Sequence, residues 1–112
     1  MVRKLSEQDL SLLAAMAPEY EGEACRGSGV AYRSLLPPVA NHYAKDAADF
    51  KERISRLSEE EFRYLIDLML SGEESLHCLS PEYYSCLEEK IAAIAGSDIA
   101  RKVKTRYILE CE

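Results

Sequence analysis

Between residues 58 and 96 the chain spells out the start and stop of two successive helices, and this punctuation limits the fold more than any other feature. Ser58 stands where an N-cap side chain accepts from the first helical turn, and Glu61 holds the reciprocal position of a capping box. Phe62, Leu65, Ile66 and Met69 then recur at helical spacing, and Gly72 suits the left-handed turn that ends a helix. Ser80-Pro81-Glu82 repeats the opening with proline at the first helical position. Tyr84, Leu87, Ile91 and Ile94 form the inward stripe of this second helix, and Gly96 closes it.

The same grammar extends in both directions. Ser6 caps a first helix that opens with Glu7-Gln8-Asp9, acids that suit the positive end of the helix dipole. Leu10, Leu13, Ala14 and Ala17 are expected along one side of it, and Pro18 stops it. Residues 18–38 are irregular and hold three of the five glycines and three of the four prolines, with a short helix predicted from about Val30 to Leu36. After Pro37-Pro38, the steps Val39, Tyr43, Ala47, Phe50, Ile54 and Leu57 predict one long helix. Ser97-Asp98 starts a last helix carrying Ile99, Val103 and Tyr107, whose end is blurred by β-forming residues between Thr105 and Leu109. No alternating strand pattern lies between turn signals. The expectation is an all-α protein, a small orthogonal or bundle-like packing of about five to six helices. Residues 1–112 have the length of a single helical domain.

Charge narrows the function classes. The chain is acidic, with a net charge of −6, and residues 57–90 hold nine acids against two bases. Residues 97–112 reverse this with four bases, Arg101, Lys102, Lys104 and Arg106, against three acids. Both stretches read as solvated helix faces. An acidic surface repels phosphate backbones, so nucleic acid is not an expected partner. No apolar run reaches the length of a membrane span, and Glu7 and Asp9 interrupt what a signal peptide would need, which leads to a cytoplasmic expectation. The four cysteines, Cys25, Cys78, Cys86 and Cys111, are scattered and are expected as reduced thiols, with Cys78–Cys86 the pair best spaced for an alternative bridge.

Chemistry-bearing candidates are few. Arg26-Gly27-Ser28-Gly29 precedes a helix bearing Arg33, and glycine backbone N–H groups before a helix can converge on an anion. The run lacks the spacing of a nucleotide-binding P-loop, and a glycine-rich turn explains it equally. Asn41-His42 follows closely and would supply proton transfer to such a site, although capping and solvation account for both residues. His77-Cys78 with Cys86 does not make the paired ligands zinc requires, so neither metal nor other cofactor is expected. No nucleophile motif is present, which argues against an enzyme without deciding the matter. Tyr64 and Leu68 form an apolar i,i+4 pair on the face opposite Phe62, Ile66 and Met69, and mark either a central helix or a contact surface. The reading that follows is a cytoplasmic protein-interaction module that binds a protein partner or itself, a homodimer included. The alternative is a protein or enzyme that binds a small anion or phosphorylated ligand through residues 26–29, Arg33 and His42.

Overall fold

The computed structural model describes residues 7–18, 35–36, 39–74, 76 and 79–111, and of His42 and Cys111 only the backbone. Among the described residues five α-helices follow one another: α1 (Glu7–Met16), α2 (Ala47–Ser55), α3 (Glu59–Ser71), α4 (Pro81–Ala95) and α5 (Ser97–Cys111), with a π-helical turn at Val39–Tyr43 before α2. No strand occurs among the described residues. The fold is an all-α, bundle-like packing in which α4 lies against α2, α3 and α5, and α5 also lies against α3. None of the described helices is long and apolar enough to cross a membrane.

The caps explain why the helices begin and end where they do. Ser58 Oγ accepts from Glu61 N at 3.1 Å while the Glu61 carboxylate accepts from Ser58 N at 2.8 Å, a complete capping box. Such a cap contributes about 1 kcal/mol. Gly72 ends α3 with φ 84°, and its N–H bonds Met69 O. A side chain at that backbone angle would be strained, and a Cβ there would also strike the Arg106 guanidinium. Ser80 caps α4 with Pro81 behind it, and Gly96 ends it at φ 94°.

The long helix predicted from Val39 to Leu57 is divided. Ala44 N reaches back five residues to Val39 O, which widens the first turn to π geometry. Asp46 is extended and begins a new helix, accepting from Asp49 N at 2.8 Å while the Asp49 carboxylate accepts from Lys45 N at 2.9 Å. Asp46 thus caps the backbone of Asp49 and Asp49 that of Lys45, which offers the chain a break that continuous helix would forfeit. The bond from Lys45, followed by the Arg53 guanidinium, holds the Asp49 carboxyl below its ordinary value. The first helix is also rotated from expectation. Asp9, Leu12, Leu13, Met16 and Ala17 are buried, whereas Leu10 is half-buried and Ala14 is exposed. The N-cap Ser6 and most of the short helix predicted from Val30 lie outside the described residues.

Apolar burial supplies the driving force. Phe50, Phe62, Leu65, Met69, Leu87, Ile91 and Val103 are all fully buried, each worth roughly 1.5–3 kcal/mol relative to exposure. The rings of Tyr84 and Tyr107 stack with centroids 4.1 Å apart, and the Tyr107 hydroxyl donates to Leu79 O at 2.7 Å, which ties α5 to the residues leading into α4. Burial, then Glu88 and Tyr107, raises the Tyr84 phenol well above its usual range.

Three buried charged residues fasten segments that are distant in sequence. Arg53 donates to Asp49 at 3.1 Å and to Met16 O at 3.1 Å, and so joins α2 to the last turn of α1. Asp9 accepts from the Tyr64 hydroxyl at 2.8 Å, which joins α1 to α3. Glu74 is fully buried and takes the N–H groups of Leu35 and Leu36, one on each carboxylate oxygen, at 2.8 and 3.0 Å. The acidic tract was expected to be solvated, and Glu74 departs from it because two backbone donors replace its water.

Candidate functional site

The residues singled out from sequence are distributed as follows. Arg26, Gly27, Ser28, Gly29 and Arg33 lie outside the described residues, as do His77, Cys78 and the His42 side chain. Asn41 is exposed on the π-helical turn. Leu68 belongs to the core with 6% exposure, and Tyr64 is half-buried with its hydroxyl on Asp9. Both side chains are thus engaged by this chain's own helices. Cys86 is a free thiol, so it does not bridge to Cys78.

Two surface grooves have defined walls. The larger, about 230 Å³, runs between α2 and α4 and is lined by Lys51, Ile54, Ser55, Cys86, Glu89 and Lys90. Lys51 and Glu89 pair across it at 3.2 Å. The Cys86 thiol lies 3.6 Å from Ala47 O and 3.5 Å from Glu82 O, and burial, followed by Glu89, pushes its pKa up. A thiol protonated in this way is a poor nucleophile at neutral pH, so the groove offers shape without reactivity. The smaller groove, about 120 Å³, lies where α3 meets the α4–α5 corner and is lined by Arg63, Ile66, Asp67, Leu70, Ala95 and Ile99. Arg63 is committed there, since it pairs with Glu59 at 3.3 Å and donates to Ile94 O at 2.9 Å.

The outer face of α5 is the most unusual surface among the described residues. Ile108 and Leu109 are 49% and 65% exposed, and they are the large hydrophobics left in water. Arg101, Lys102 and Lys104 are exposed on the same helix. Arg101 pairs with Asp98 at 3.3 Å and Lys104 with Glu88 at 3.7 Å, whereas Lys102 has no carboxylate partner among the described residues. Lys102 and Leu109 are seven residues apart, so they share one side of the helix about 10 Å from each other. Residues 39–96 carry twelve acids against six bases, while α5 carries four bases against two acids. A basic helix with an apolar tip therefore stands on an acidic body.

Sequence reasoning listed the bases of α5 and overlooked its tip. The available signal was Tyr107-Ile108-Leu109, since three consecutive large apolar residues cannot share the stripe of Ile99 and Val103. Comparison of the chain with protein-family models, with curated proteins and with solved structures finds no match.

Proposed function

We propose that this protein is a protein-interaction module whose contact surface is the outer face of α5, and that the surface receives an acidic amphipathic helix. The observation that carries the reading is the exposure of Ile108 and Leu109 on the same helix as the exposed Lys102. Exposed apolar side chains on a helix with an excess of bases suit a contact surface, with apolar burial supplying affinity and charge supplying orientation. The surroundings favour the same partner chemistry, because residues 39–96 carry twelve acids against six bases while α5 carries four bases against two acids. The contact lies on α5 rather than at Tyr64 and Leu68, which already have partners within the chain.

The test uses a synthetic helical peptide with leucine on one face and glutamate on the flanks, followed by backbone amide shifts of the full-length chain. Shifts should concentrate on residues 101–110, and Leu109→Asp with Lys102→Glu should weaken binding about tenfold or more, the scale of one lost contact pair. Perturbations scattered over the acidic helices, or affinity unchanged in the double variant, would remove the proposal.

A further inference from the structure

We infer that the acidic helix received by α5 is α3 of a second copy of this chain, so that copies join head to tail. The inference rests on the reading of α5 as a docking surface and names the occupant of that surface. On α3, Glu60 and Asp67 are both exposed and have no cationic partner among the described residues. They are seven residues apart, as Lys102 and Leu109 are, so both pairs repeat at about 10 Å along one side of a helix. Asp67 also lines the smaller groove, whose walls include Ile66, Leu70, Ala95 and Ile99. When α5 of one copy lies parallel to α3 of the next, Leu109 enters this groove as Lys102 meets Glu60. The groove volume of about 120 Å³ accepts one branched aliphatic side chain.

Charge selects this groove over the larger one. In the α2–α4 groove Lys51 is held by Glu89, which leaves Lys90 to face Arg101, Lys102 and Lys104 with like charge. The α3 groove has Arg63 already held by Glu59 and Ile94 O, which leaves Asp67 as its available charge. The donor surface on α5 and the acceptor surface on α3 are different patches, so the contact is heterologous and does not close on itself after two copies. A single helix laid on a small groove belongs to the small, weak class of interfaces.

Sedimentation velocity of the full chain tests this. The wild type should self-associate as concentration rises, and about tenfold more weakly in roughly 0.5 M salt than in roughly 0.05 M salt. Leu109→Asp removes the tip and leaves the α3 strip intact; Glu60→Lys with Asp67→Lys does the reverse. Each variant alone should be monomeric, and an equimolar mixture should form a capped one-to-one dimer that does not grow further. Leu109→Gln and the pair Glu60→Gln, Asp67→Asn repeat the test with milder changes should a charge reversal impair folding. Association of the Glu60/Asp67 variant at the wild-type level, or a mixture that stays monomeric, would overturn the inference. A wild type that stays monomeric while its α5 still binds the glutamate-flanked peptide also overturns it, and leaves the docking reading standing. Leu109→Asp without effect on either association or peptide binding removes both.

Discussion

Helices α3 and α5 each carry apolar residues on two sides, and the protein treats their second sides differently. In α3, Leu68 lies opposite the main stripe yet is only 6% exposed, and Tyr64 beside it reaches Asp9 of α1. In α5, Ile108 and Leu109 lie away from Val103 and stay in water. The difference comes from position rather than composition. Helix α3 contacts α4 and α5 and is bonded to α1, so its second side has cover, whereas among the described residues α5 lies against α3 and α4 and leaves Ile108 and Leu109 exposed. A two-sided apolar helix therefore identifies a contact surface only after its neighbours in the same chain are known.

Three substitutions can break or sharpen this contrast. The largest effect should come from Leu68→Ala, which leaves a cavity in a covered site and should lower unfolding free energy by about 2–4 kcal/mol in chemical denaturation. A loss below about 1 kcal/mol would mean that the second side of α3 is less covered than it looks. Tyr64→Phe should cost about 1–2 kcal/mol, because Asp9 at 2% exposure loses a donor that water does not replace. An unchanged melting temperature in that variant would show that the α1–α3 link contributes nothing. Leu109→Asp should change the stability of the monomer by no more than about 0.5 kcal/mol, as expected of a side chain that is 65% exposed. Marked destabilisation of dilute Leu109→Asp protein would erase the contrast between the two helices.

Much of the fold was legible because helix ends are written locally. Ser58 with Glu61, Gly72, Ser80-Pro81 and Gly96 all act at the positions their residue types imply. The break before α2 was missed because Val39, Tyr43 and Ala47 keep helical steps across it, while the pairing of Asp46 and Asp49 that makes it is a local feature that hydrophobic period ignores. The sequence marks Asp9 only as a first-turn acid and Glu74 as part of a solvated acidic stretch, yet both are buried. Their burial depends on partners 55 and 38 to 39 residues away in sequence, which no local pattern reports. The candidate surface was half legible in the same way. The bases of α5 stood out by composition, but the exposure of Ile108 and Leu109 depends on which helices surround α5, and that is a tertiary fact.

The grip of Glu74 on Leu35 and Leu36 has a topological consequence. It joins two points 39 residues apart, so that everything between them, α2 and α3 included, forms a loop closed by this carboxylate together with the burial of Leu35, Leu36 and Leu76 in one core. Ring closure restricts a chain in proportion to the logarithm of its length, so nearly all of that restriction is imposed once, at the clasp. With the clasp shut, α2 and α3 meet inside a short circuit. Without the carboxylate, that closure would rest on the burial of Leu35, Leu36 and Leu76 alone.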